Sequence, residues 1–217
     1  MIPALIVPVL NRPDLLRRLI ASIDFPVGDL LVIDNGHVVG DLQAVPHVQR
    51  LHVLRMPTNL GVPASWNLGI KALPFAPWWL IVNSDAAFIA GSLERFATEA
   101  RRDALVLSGG APPWCAFALG DDVVAEVGLF DEGLFPAYFE DNDYQRRCMY
   151  HGYPVVQSAI PMHHDNSSTI RSDPKLAAAN DRTFTANYGY YMEKVQRGDF
   201  GPGCWSLDTR RELAWER

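Results

Sequence analysis

Cysteine is scarce in this chain of 217 residues: Cys115, Cys148 and Cys204 are odd in number, widely spaced and form no C-x-x-C pair. The zinc and redox motifs built on such pairs are therefore absent, and a reducing cytoplasm is the expected location. Long apolar runs are also missing. None approaches the roughly 20 residues that cross a bilayer, the longest candidate being Trp78 to Val82. The apolar opening from Ile2 to Leu10 has no basic stretch before it and stops at Asn11-Arg12-Pro13-Asp14, so it reads as a first strand, neither a signal peptide nor a membrane span. Positive charge is in deficit as well. A net charge of −6 argues against a nucleic-acid binder that works through a broadly basic surface. Internal repeats, low-complexity blocks and interdomain linkers are lacking, so one domain over 1–217 is the simplest organisation.

What is present is alternation. Ala4 to Val9 is a continuous apolar run, as in a strand buried on both faces, and Pro13 opens a helix whose Leu15, Leu16, Leu19, Ile20 and Ile23 share a stripe. Leu30 to Ile33 repeats the strand pattern and stops at Asp34-Asn35-Gly36. Leu51 to Leu54 predicts a third strand, Pro63 a helix with Trp66 and Ile70, and Trp79 to Val82 a fourth strand closing on Asn83-Ser84-Asp85. Such alternation predicts an α/β fold with a Rossmann-like, mostly parallel sheet, which binds ligands outside the carboxyl ends of its strands. Asn11, Asp34 and Asp85 should gather there. After a helix from Ser92 to about Arg102 the pattern becomes mixed α+β, with strands at Leu105 to Ser108, around Cys115 to Leu119, and at Tyr153 to Val156. Pro174 opens a long polar-aromatic helix towards Val195, and the tail from Gly198, with Trp205 and Trp215, is expected to be a clasp or an interface for a homo-oligomer.

Two constellations carry chemistry. The segment FDEGLFPAYFEDND, Phe130 to Asp143, holds five carboxylates, and Glu140-Asp141 follows an apolar run. Crowded, poorly solvated carboxylates have raised pKa values suited to a base, although acidic residues in a first helical turn also need no purpose beyond the amide dipole. Asp143 and Arg147, at i,i+4, suit an ion pair. The second constellation joins Asn83-Ser84-Asp85 to Met162-His163-His164-Asp165: a carboxylate and an imidazole, with water and phosphate oxygens, suit Mn2+ or Mg2+ bridging a diphosphate. Each is otherwise a turn residue or a satisfied loop pair. Trp114 is a stacking candidate or a core anchor.

These residues together resemble the family 2 glycosyltransferases of the GT-A fold, particularly their rhamnosyltransferase-like branch. Pro8-Val9-Leu10-Asn11-Arg12 is similar to the family's P-x-x-N-R strand end, and Asp34 to its base-contacting aspartate. Asn59-Leu60-Gly61 through Asn67-Leu68-Gly69-Ile70 resembles the donor-pocket stretch N-x-G-…-N-x-G-I. Asn83-Ser84-Asp85 corresponds to an N-x-D form of the D-x-D signature, and FDEGLFPAYFEDNDYQRRCMYHG to the branch's acidic motif with one extra residue before Phe139. The resemblance implies Asp141 as general base, Glu140 as an acceptor-positioning group, Asp85 with His163 (alternatively His164) as metal ligands, and Asn166 to Thr169 as part of an H-x-x-x-x-S-T segment. It implies a nucleotide-sugar-binding half over 1–108, an acceptor and catalytic half over 109–197 and a tail over 198–217. The implied reaction is inverting transfer from a UDP- or dTDP-linked sugar, rhamnose among them, to a glycan, lipid-linked or protein acceptor. The alternative is a catalytically silent nucleotide-sugar binder or assembly protein. A nucleotidyltransferase would show a glycine-rich or basic triphosphate loop near its start, which Arg12 and Arg17-Arg18 do not make.

Overall fold

In a computed structural model, which describes residues 1–165 and 174–201, the apolar runs are strands covered on both faces. β1 (Ile2–Val9) pairs in parallel with β2 (Val27–Asp34) and with β4 (Trp78–Val82), and β2 pairs in parallel with β3 (Val48–Arg55). β7 (Ala116–Gly120) runs against β4, β6 (Leu105–Leu107) runs against β7, and β8 (Val155–Gln157) runs along β6. The resulting order is β3-β2-β1-β4-β7-β6-β8, with β7 alone reversed. A separate two-stranded ribbon joins β5 (Ala86–Phe88) to β9 (Met162–His164).

Period-two alternation splits the core into two layers. On one face Leu5, Val7 and Val9 of β1 meet Leu16 and Leu19 of α1 (Pro13–Ala21) and Phe96 of α3 (Ser92–Glu99). On the other, Ala4 and Ile6 meet Trp66 and Ile70 of α2 (Val62–Ala72), Val123 and Val127 of α4 (Asp121–Val127), and Tyr144 of α5 (Glu140–Tyr150). α3 stops at Glu99, short of the expected Arg102, because Ala100 is already extended. α4 is a helix the sequence pattern did not reveal.

α4 and α5 are tied by a buried guanidinium. Arg147 donates to the carbonyl oxygens of Val127 and Leu129, meeting the unsatisfied end of α4, with the first of these bonds very short. α5 then ends before Gly152, whose φ of 76° is the left-handed stop expected there. Of the anticipated Asp143–Arg147 pair, only a 3.7 Å contact is formed. The closer partner of Asp143 is Lys194 of α6 (Pro174–Arg197), at 2.6 Å, and the same ammonium lies 2.6 Å from Asp131. Burial works against the Lys194 charge, but the two carboxylates outweigh it and hold its pKa above the ordinary lysine value. α6 is further fixed by Asn187 donating to the carbonyl of Ala137 and by Tyr190 donating to Asp131.

The parallel order reverses between β1 and β4, since β1 leads to β2 on one side while β4 lies on the other. A crevice therefore opens above the carboxyl ends of these two strands, where Leu10 and Asn83 leave the sheet. Gly36 seals one edge of it: a Cβ there would sit 1.6 Å from the Leu10 carbonyl oxygen, so only glycine lets the chain after β2 pass this close. Among the described residues no helix is long and apolar enough to cross a membrane.

Candidate active site

A cavity of about 290 Å³ occupies the crevice. Strand ends supply Pro8 and the Asn83-Ser84-Asp85 turn, the α2 approach supplies Asn59 and Gly61, and the 3-10 turn at Pro113–Cys115 supplies Trp114. The far wall is Glu140 and Asp141 at the start of α5, and His164 closes the side from β9. Strand ends, helix starts and loops from across the chain thus meet at one place, as a topological switch point requires.

Several expected site residues stand elsewhere. Asp34 is fully buried, and its carboxylate accepts the backbone N–H groups of Gly36 (3.3 Å), Val38 (3.0 Å) and Val39 (3.1 Å), so it shapes the loop and does not line the cavity. Its neighbour Asn35 lines it instead, donating to Ser65 Oγ and accepting from Leu60 N–H. Asn67 is fully buried and clasps the backbone of Phe130 in both directions. Arg12 turns outward to a bidentate pair with Asp14, and Asn11 is not among the lining residues. A strand-end polar residue can equally serve the turn that follows it, which is what Asp34 does.

The ribbon sets the two histidines on opposite faces. Successive residues of β9 face opposite ways, so His164 points at the cavity while His163 is exposed. His164 Nε2 lies 3.1 Å from Asp85 Oδ1, and its Nδ1 lies 3.4 Å from the carbonyl oxygen of Ala111. A neutral imidazole has one N–H, yet this ring faces an oxygen acceptor on each side. Burial disfavours the imidazolium, but the Asp85 hydrogen bond and charge, together with the Ala111 carbonyl and Asp165, raise the His164 pKa above its ordinary value. A neutral ring with its proton on Nε2 satisfies Asp85, and a protonated ring would donate to both oxygens. Among the described residues Asp85 and His164 stand together, and no cluster of three or more His, Cys, Asp or Glu forms around them. Asn166 to Thr169 lie outside the described residues, as do Cys204, Trp205 and Trp215.

The two carboxyls on the far wall differ in setting. Burial first, and the Asp141 charge second, push Glu140 up to about 8, and among the described residues no group bonds its Oε2. Both influences favour its protonated form. Asp141 is also raised by burial, opposed by the amide of Asn142, which donates to Oδ1 at 2.7 Å. Burial thus acts on both carboxyls, and Glu140 carries the added effect of the Asp141 charge. The backbone just before them is strained: Tyr138 and Phe139 have φ of 76° and 73°. Bulky residues in the left-handed region cost roughly 1–3 kcal/mol each and persist where the surroundings enforce them. The extra residue before Phe139 falls in this turn.

Sequence reasoning missed Asn35, Trp66, the Pro136-Ala137-Tyr138 turn, and Leu176, Ala179 and Asn180 of α6, all of which line the cavity. The α6 residues carried only a mixed polar pattern. Trp66 was visible as a helical core residue; it is that and the cavity floor at once, stacked 6.4 Å from Trp114.

Sheet order, switch-point cavity and paired carboxyls define a GT-A-type α/β fold. The sequence profile of glycosyl transferase family 2 matches residues 4–127. The chain belongs to that family. It is 22% identical to a galactofuranosyl glycosyltransferase of Leishmania donovani, over 97% of this chain and 66% of the relative. Among solved structures it is similar to S. aureus TarS 1-349 (TM-score 0.58, 18% identity, 77% of this chain and 61% of that one). It is also similar to glucosyl-3-phosphoglycerate synthase from Mycobacterium tuberculosis in complex with Mn2+, UDP and phosphoglyceric acid (TM-score 0.56, 13% identity, 86% and 78%). The chain spans just under two thirds of the length of the first two.

Proposed function

We propose that this chain transfers a sugar from a nucleoside-diphosphate donor, UDP- or dTDP-linked with rhamnose among the candidates, to an acceptor hydroxyl by single displacement with inversion. The observation that carries this reading is the convergence of Asp141, Asp85 and His164 on one cavity. Asp141 takes the acceptor proton as the hydroxyl oxygen attacks the anomeric carbon, and the carbon–oxygen bond to the diphosphate breaks on the opposite face. Protonated Glu140 donates a hydrogen bond that orients the acceptor. Asp85 and His164 would hold Mn2+ or Mg2+, whose chemistry is to neutralise charge on the departing diphosphate. The lining supports this need: among the described residues it includes three carboxyls and no lysine or arginine, so a dianionic leaving group finds no cationic side chain among them. Trp114 and Trp66 form an aromatic floor, and Asn35, Asn59 and Ser84 supply polar contacts.

The test is incubation with a panel of nucleotide sugars and Mn2+, following nucleoside diphosphate release with and without acceptors. Release that stops with Asp141→Asn supports transfer. Thermal stabilisation by nucleotide sugars with no release under any condition would make the chain a binder and refute the reading.

A further inference from the structure

The cavity does not end at its polar wall. Tyr138, which lines it, meets Phe184 of α6 edge-on at 5.2 Å; Phe184 packs at 5.0 Å on Phe139, which in turn contacts Tyr188 at 5.5 Å. Docking of α6 needs only part of this set, because Phe139 also stacks on the buried Tyr191 at 5.8 Å. Phe184 and Tyr188 nevertheless keep 43% and 50% of their surface open. The result is an aromatic ridge that begins inside the cavity, close to Asp141, and continues along the outer face of α6. The strained backbone at Tyr138 holds its first member in place.

We propose that Tyr138, Phe184 and Tyr188 form a stacking subsite for a neutral sugar ring of the acceptor. The inference rests on the transfer reading above and adds the acceptor's chemical class. Aromatic faces are electron-rich and attract the polarised C–H face of a sugar ring, while the ring's hydroxyls need polar partners at the edge. Asn180 and Asp141 stand at that edge. Among the described residues carboxyls line the cavity without a lysine or arginine, which disfavours an anionic headgroup. A hydroxyl already seated against the ridge would be presented to Asp141 for proton removal, an orientation that a small alcohol lacks.

Saturation-transfer NMR with methyl β-D-glucopyranoside, methyl β-D-galactopyranoside, methyl α-L-rhamnopyranoside and octyl β-D-glucopyranoside tests this. The expected result is transfer centred on the ring C–H protons of at least one methyl glycoside. Phe184→Ala and Tyr188→Ala should each weaken its binding roughly three- to tenfold, the scale of one aromatic contact. Phe75→Ala, at a residue 85% exposed on another loop, should match the unaltered chain. Transfer confined to the octyl chain with silent methyl glycosides overturns the proposal in favour of an apolar docking strip; equal binding by all variants, or no glycoside contact at all, overturns it outright. Calorimetry with UDP and Mn2+ keeps the two readings apart. Glycosides on the ridge without nucleotide binding would sink the transfer reading, whereas nucleotide binding without glycosides would sink the subsite.

Discussion

Glu140→Gln is the sharpest probe of the acidic wall. The carboxyl moves from 4.5 in an ordinary setting to about 8 here, chiefly through burial. Between those values the unfolded chain has released its proton while the folded chain retains it, so the unfolded state binds fewer protons and stability falls as pH rises through this window. From pH 5 to pH 7 the loss is two pH units at ~1.4 kcal/mol each, on the order of 2–3 kcal/mol. Glutamine has the shape of the neutral acid and does not titrate. Any fixed cost of its unpartnered amide is the same at both pH values and cancels. Relative to the unaltered chain, Glu140→Gln should therefore gain about 2–3 kcal/mol on going from pH 5 to pH 7, or roughly 5–10 °C in melting temperature for a chain of this size. Thermal melts by circular dichroism at the two pH values measure it. An offset between the two proteins that does not change with pH would show that Glu140 ionises normally, and the division of labour between Glu140 and Asp141 would fall with it.

Asp141→Asn should cut transfer by about 10²–10⁴ while UDP affinity, measured by calorimetry, stays within twofold; a loss below tenfold would move the base elsewhere. His164→Ala should impair recovery of activity by Mn2+ after chelation, and His163→Ala, on the opposite face of β9, should not; the reverse pattern would refute the assignment. Lys194→Met strips the cation from two carboxylates, so denaturant unfolding should show a loss on the order of 3 kcal/mol, most of it recovered in a Lys194→Met/Asp143→Asn double variant.

The sheet was legible because its strands are continuous apolar runs ended by polar turns: β1, β2 and β4 were each readable from a few residues. Asp85 could be singled out for the same reason, standing just beyond β4, whereas Asp141 was marked by the acidic pair that follows an apolar run. What stayed hidden depends on pairing between distant segments. Three-residue β5 and β9 carry no periodicity of their own, yet their register alone turns His164 inward and His163 outward. Asp34 and Asn67 were readable as polar groups near the crevice, but which hydrogen-bond partner a buried polar group finds is a tertiary matter: Asp34 found the loop amides, and Asn67 found Phe130. α4 escaped because Asp121–Val127 is only seven residues long and follows directly on a strand. α6 looked like a polar-aromatic helix without a destination, since its docking face is built from Asn187, Tyr191 and Lys194 and has no apolar stripe.

The position of Lys194 near the end of the described chain has a temporal consequence. A ribosome delivers residues in order, and early segments begin to organise before late ones emerge. Every strand of the seven-stranded sheet, and the acidic helix with Asp131 and Asp143, precedes α6 in that order. During synthesis the strands of the sheet can assemble first, while these two carboxylates stay hydrated until their shared ammonium arrives. Docking of α6 on Asp131 and Asp143 thus follows every strand in chain order, and a nascent chain halted before Lys194 would carry the strand scaffold without the ammonium that these two carboxylates share.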